Sequence, residues 1–338
     1  MTEKDVLEKA QKLFDYPNTN GYELEEDDLL VFVDEKVEEE DLEEEEILPK
    51  VFEGYRVRVI ETGVVETVGS DVKNRDLYVP VRQGGSIGQV RKRSAGTLGA
   101  IVSVNRIYVF ESDEGDRVLV TKNIHSETKE YKEHAELLRV LGYEQIQERL
   151  VVGITNRHVA GERGTKIQHP SLIDKNIVRN IGQVLCSTPY SSGIDISVVQ
   201  LEDDRLKMEN VKSVNGVGVV DDTSFRKTVW FEKNALHKGK TVVKNGRTTG
   251  VTESEVFATN GYTRVEMNDG EKYTFKDTVM VENNGRSFVD GGDSGSALLI
   301  KKRDGEYKCV GFVFASSNRF SYAIPIEKVL ESHGYLEI

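Results

Sequence analysis

Cysteine is nearly missing from this chain. Two thiols, Cys186 and Cys309, among 338 residues exclude a disulfide framework and a cysteine-built zinc site, leaving one bridge at most. Long apolar runs are missing too: nothing is long enough to span a bilayer. The opening stretch "MTEKDVLEKAQKLF" lacks the apolar core of a secretory leader. These absences predict a cytoplasmic location and no membrane partner. Positive charge is not in excess: 45 Lys and Arg against 58 Asp and Glu give a net charge of −13. Such a molecule repels nucleic acid, so no nucleic-acid partner is expected. The short basic run "VRKRS" (Val90 to Ser94) reads as a solvated linker rather than a phosphate site. No Gly-rich phosphate loop of the G-x-x-x-x-G-K-S/T kind and no metal-ligand cluster occur, so neither cofactor nor metal is expected.

What is present is globular in character, with 38% hydrophobic and 30% charged residues, and the length allows two domains. "EKDVLEKAQKLF" spaces Val6, Leu7, Ala10, Leu13 and Phe14 as an amphipathic helix does. Leu29 to Val33 and "GYRVRVIETG" read as strands around the acidic run "EEEDLEEEEILPK", which like-charge repulsion keeps solvated. Together they predict a small α+β domain over 1–88, regulatory or assembly-related. From 89 to 338 the pattern is different. "GTLGAIVSVNRIYVF" reads as two strands about a turn at Val104–Arg106, and many short β-rich runs separated by Gly, Asn and Asp follow. This argues for an all-β barrel or sandwich. A segment at about 111–150 interrupts it, helix-like over Glu127 to Leu150, with Leu137, Leu138, Leu141 and Ile146 on one side. A helix closes the chain after Pro325.

Hydrolysis through a serine needs a nucleophile, a base and a group that orients the base. "VDGGDSGSALLI" sets Ser294 among glycines just before an apolar strand. "ITNRHVAG" sets His158 at the end of another, and "GIDISVV" sets Asp195 at the mouth of a third. Each has a plain reading: a turn serine, a structural histidine, a strand-capping aspartate. Their joint occurrence, each at a strand end and in the order His, Asp, Ser, is what points to one site.

"SAGTLGAIV", "ITNRHVAG", "DISVV", "VVKNGRTTGVTESEV", "DGGDSGSALL" and "VGFVFA…YAIPIEKVL" resemble the chymotrypsin/trypsin-like serine peptidases. They are most similar to the prokaryotic-type branch with T-N-x-H-V and G-D-S-G-S motifs. The resemblance implies a mainly β, double β-barrel fold, a small α+β domain before it and a helical insertion before the catalytic His. It implies an endopeptidase with Ser294 as nucleophile, His158 as base and Asp195 as orienter, and an oxyanion hole of the Gly292 and Ser294 N–H groups. Val313, Phe314 and Ala315 would line an extended peptide, with Phe288 bordering the pocket for the residue before the cut. Asp293 would be structural. The "R-I-V-G-G" cleavage point of the digestive relatives is missing. "NGRTTGV" reads as a structural hairpin rather than an anion site. A protein or peptide is thus the expected substrate, and a homo-oligomer or regulatory partner would engage the N-terminal domain or the insertion. Two alternatives stand beside this: a latent or dead peptidase fold kept as a scaffold or peptide-binding module, and an esterase-type acyl hydrolase.

Overall fold

The computed structural model describes residues 2–43, 46–65, 74–112, 117–119, 136–202, 213–214, 217–219, 236–283 and 287–332. The chain opens with a helix, Glu3–Lys9, closed at its start by a reciprocal pair between Thr2 and Asp5, which satisfies two otherwise orphan donors. A 3-10 turn, Ala10–Asp15, continues it. Strands β1 (Thr19–Glu25), β2 (Asp28–Val33), β3 (Val51–Phe52) and β4 (Tyr55–Glu61) follow. β2 is buried on both faces. Leu29, Val31 and Val33 pack with Leu7, Leu13 and Phe14, while Leu30 and Phe32 join the main core. This is the period-2 alternation of a covered strand.

Next come β5 (Ser86–Gln89), β6 (Gly96–Thr97), β7 (Ala100–Ser112), β8 (Arg117–Leu119), β9 (Tyr143–Thr155), β10 (Lys166–His169), β11 (Arg179–Ser187) and β12 (Ser197–Leu201). They form one curled sheet in the order β6-β5-β10-β11-β12-β9-β7-β8. A short pair, β13 (Ser213–Val214) and β14 (Gly218–Val219), precedes β15 (Thr241–Gly246), β16 (Gly250–Glu266), β17 (Lys272–Glu282), β18 (Ala297–Lys301), β19 (Tyr307–Ser316) and β20 (Phe320–Pro325). The last six run β15-β18-β19-β20-β17-β16, and β16 pairs back onto β15, so this sheet closes into a barrel. β1 then pairs with the outer edge of β16 at Gly21↔Thr263 and Tyr22↔Tyr262, and carries β2, β4 and β3 outward from the barrel. A final helix, Ile326–Ser332, covers the barrel end through Ile326, Val329 and Leu330.

Two expectations are corrected here. Residues 136–140 are helical, but Tyr143 to Leu150, expected to continue that helix, belong to β9. Pairing along β7 from Ala100↔Ile154 to Ser112↔Tyr143 overrides the local helical spacing. The turn expected at Val104–Arg106 is instead a bulge inside one continuous strand, where the register steps from Val104↔Leu150 to Ile107↔Glu148. One extra residue on one strand makes such a step. Residues 113–116 and 120–135 of the expected insertion lie outside the described residues. Among the described residues no helix is long and apolar enough to cross a membrane.

Candidate active site

His158 sits on the one-turn helix Arg157–Ala160 that leaves β9. β9 and β12 are neighbours, with Thr155 opposite Ser197, so the residues after one and before the other meet. Asp195, wholly buried, takes the His158 main-chain N–H on Oδ1 at 3.0 Å and lies 2.5 Å from the ring Nδ1 through Oδ2. A carboxylate can only accept, so Nδ1 carries the proton and Nε2 is left without one. Asn156 Nδ2 donates to the Asp195 carbonyl at 2.7 Å, and Asn268 Nδ2 to the His158 carbonyl at 3.2 Å. The Thr188 hydroxyl closes the turn beneath Asp195, donating to the Ile194 carbonyl at 2.9 Å and accepting the Ile196 N–H at 3.1 Å.

The glycine-rich loop around Ser294, residues 290–296, is held by its carbonyls. The Gly291 carbonyl accepts from the Thr248 hydroxyl and from Arg247 Nη1 at 3.4 Å. That of Gly292 accepts from the Thr97 hydroxyl at 2.8 Å. That of Asp293 accepts the Ser296 N–H at 2.9 Å and the Ser296 hydroxyl at 2.5 Å. That of Ser294 accepts the Thr97 N–H at 2.8 Å. In a trans peptide the N–H opposes the carbonyl. Tying down the carbonyls of 291 and 293 therefore turns the N–H groups of Gly292 and Ser294 the other way. Among the described residues neither N–H has an acceptor. Gly292 has φ +92° and Gly295 φ +93°, a region open to glycine and strained for other residues. The Ser294 hydroxyl is buried and makes no hydrogen bond among the described residues. The imidazole and the hydroxyl are thus not joined in this structure.

Two buried ion pairs lie under the loop. The Asp293 carboxylate meets Lys244 Nζ at 2.8 Å, both side chains fully buried. It also accepts the N–H groups of Thr248 (2.7 Å), Thr249 (3.2 Å) and Asp290 (3.0 Å), and the Thr249 hydroxyl (2.7 Å). Burial pushes the Lys244 ammonium below its ordinary range, and the Asp293 charge opposes that shift. Asp174, on the turn after β10, receives Arg247 Nε at 2.8 Å and Nη2 at 2.5 Å. Sequence reasoning passed over Lys244, Asp174, Thr97 and Asn156. Lys244 had a signal, a lone charge inside the apolar strand "TVVKNG". The others lie in ordinary polar contexts.

Of the residues expected to meet substrate, Phe288 is 2% exposed and packs with Val242, Val281 and Leu298 inside the closed barrel. Its side chain belongs to the core rather than to an open pocket, because an apolar ring beside the barrel mouth gains most by burial. Val313 is tied to the glycine-rich loop through both of its backbone groups: its N–H donates to the Ser296 carbonyl and its carbonyl accepts the Gly295 N–H. Its side chain, with those of Phe314 and Ala315, is buried. β18 accompanies β19 only as far as Ala297↔Phe312, while β20 continues to Ser316↔Ser321. Among the described residues no His, Cys, Asp and Glu are grouped to hold a metal.

A family model described as the Nal1 C-terminal domain matches residues 192–330, a span with Asp195 and Ser294 but not His158. No curated protein matches. Among solved structures, the chain is similar to a glutamic acid specific serine protease described as using a histidine triad in substrate binding. Identity there is 15%, covering 75% of this chain and 98% of that one, with a TM-score of 0.39. It is also similar to protease A of Thermobifida fusca (16%, 75% and 96%, TM-score 0.41) and to Cellulomonas bogoriensis chymotrypsin (18%, 75% and 96%, TM-score 0.40). Identities this low say nothing of any single residue's role.

Proposed function

We propose that the chain is a serine endopeptidase working through an acyl-enzyme on its mainly β fold, a closed barrel beside a curled half-barrel, the chymotrypsin-like double β-barrel expected from the sequence. The observation that carries the reading is Asp195. A fully buried carboxylate spends both oxygens on one residue, the main chain and ring of His158, and so aims one nitrogen of one imidazole.

In the proposed reaction Ser294 Oγ attacks the scissile carbonyl carbon while its proton passes to His158 Nε2. Asp195 steadies the imidazolium that results. The substrate oxygen becomes an oxyanion and is received by the Gly292 and Ser294 N–H groups. Collapse breaks the C–N bond, and His158 returns the proton to the leaving amine. Water then repeats the sequence on the acyl-serine. An extended peptide would add itself along β19 beyond Val313, whose own N–H and carbonyl are taken up by Ser296 and Gly295. Lys244 fills the place of a partner for Asp293, which supports a loop formed without a newly cut N-terminus.

A second reading, a latent peptidase, is favoured by the buried and unjoined Ser294 hydroxyl. Intact-mass spectrometry after fluorophosphonate treatment separates the two. One adduct on the native chain, missing in Ser294→Ala and His158→Ala, is the expected result. A folded native chain that takes no adduct supports latency instead.

A further inference from the structure

The Gly291–Gly292 peptide carries one of the two proposed oxyanion donors. It lies between two glycines, where rotation of the whole peptide plane meets little steric resistance. A half-turn would send its carbonyl, not its N–H, into the space where the oxyanion forms. Something must therefore hold the carbonyl end. Two donors do: the Thr248 hydroxyl and Arg247 Nη1. Arg247 is 2% exposed, and a Cβ on Gly292 would lie only 2.2 Å from its Nη1, so the guanidinium is packed directly against the loop. Its own main-chain N–H donates to the Thr97 hydroxyl at 2.9 Å, and that hydroxyl in turn donates to the Gly292 carbonyl.

The other side of the guanidinium is fixed from the opposite sheet. Asp174 receives Nε and Nη2 together, the two-pronged geometry that orients the guanidinium plane as well as attracting its charge. Asp174 is itself held by the Ser86 hydroxyl and by Arg75, whose Nε lies 3.2 Å from Oδ1. The path thus runs from the turn after β10, through the hairpin between β15 and β16, to the carbonyl of Gly291.

We propose that Arg247, aimed by Asp174, is a positioning residue that keeps the Gly292 N–H turned toward the oxyanion. The proposal rests on the peptidase reading. On this view the curled sheet contributes to the oxyanion hole as well as to the His158–Asp195 pair, so both halves of the molecule set the same reaction.

The test compares the native chain with Asp174→Asn and with the double variant Asp174→Leu/Arg247→Met, which removes both charges and leaves neither buried alone. The probe is a fluorophosphonate, its reaction resolved into reversible binding and limiting labelling rate. The far-downfield NMR signal of the His158 Nδ1 proton reports the other half of the site, and thermal unfolding reports the fold. The expected result is a limiting rate about 100-fold lower in both variants, with probe binding and the His158 signal unchanged. A folded variant labelled at the native rate overturns the proposal. So does a lost rate accompanied by a lost His158 signal, because the pair would then be supporting the whole site. A native chain that takes no label at all removes the peptidase reading and this proposal with it, an outcome distinct from the other two.

Discussion

A single side chain can decide whether a loop keeps its shape, and Lys244 is such a side chain. It lies in β15 with its ammonium sealed against Asp293 and the carbonyl of Gly250. Removing one member of a buried pair leaves the other charged and unsolvated, at a cost of about 3–5 kcal/mol. Lys244→Met should therefore lower the urea-unfolding free energy by about that amount. The neighbouring N–H groups of Thr248, Thr249 and Asp290 retain part of the carboxylate's satisfaction and favour the low end. An unfolding free energy within about 0.5 kcal/mol of native would show that the pair contributes nothing net. Ser294, His158 and Asp195 could be singled out as candidates because the chemistry proposed for them needs rare neighbours: glycines around the serine, a strand end before the histidine. Lys244 and Asp174 act through burial and distance, which a linear pattern does not carry.

At the scale of elements, β5 and the segment leading into it are fastened to β10 by a histidine. His169 is 1% exposed. Its Nδ1 lies 2.6 Å from the Ser86 carbonyl and so donates; its Nε2 accepts the Tyr78 N–H at 2.9 Å. The Tyr78 ring stacks on it at 5.9 Å. Burial holds its pKa below the ordinary 6.5, against the pull of the Ser86 carbonyl and the Asp174 charge. The unfolded chain then binds more protons than the folded one between the lowered pKa and 6.5. This contribution to stability is complete above pH 6.5 and is lost as pH falls below it. Protonation would also set a second N–H against that of Tyr78. The loss of stability between pH 6.5 and pH 5 should therefore be smaller in His169→Gln than in the native chain. Parallel urea-midpoint curves for the two proteins over that interval would refute the assignment. Elements are also where sequence reading went wrong. The stretch from Tyr143 to Leu150 has helical spacing, yet a partner strand far away in sequence claims it, and local periodicity cannot report a non-local ladder.

For the whole molecule, the first sixty or so residues are wedded to the closed barrel. Tyr22 stacks on Tyr262 at 4.9 Å, Phe32 meets Phe320 edge-on at 5.7 Å, and Arg264 lies over the Phe14 ring at 4.3 Å. Gly21 is required where β1 passes β16, since a Cβ there would fall 2.3 Å from the Tyr262 carbonyl oxygen. A chain begun at residue 63 loses β1 through β4 and bares both the outer edge of β16 and the aromatic surface beneath it. Unpaired edges and apolar patches recruit other chains. Size-exclusion chromatography should find that truncation aggregated or self-associated. A monomer with the native thermal midpoint would show that the barrel needs no cover.

The sequence by itself determined the fold class, the candidate reacting residues and their order along the chain. Alternation of apolar residues is a local consequence of strand geometry, and a glycine-flanked serine is a local consequence of close backbone approach. Only the tertiary structure decided that Asp195 gives both oxygens to His158, that Phe288 is core, and that Asp174 reaches Arg247 from the other sheet. Those outcomes depend on which strands become neighbours and which charges are sealed from water together. The free energies that settle them are set by distance and burial in three dimensions.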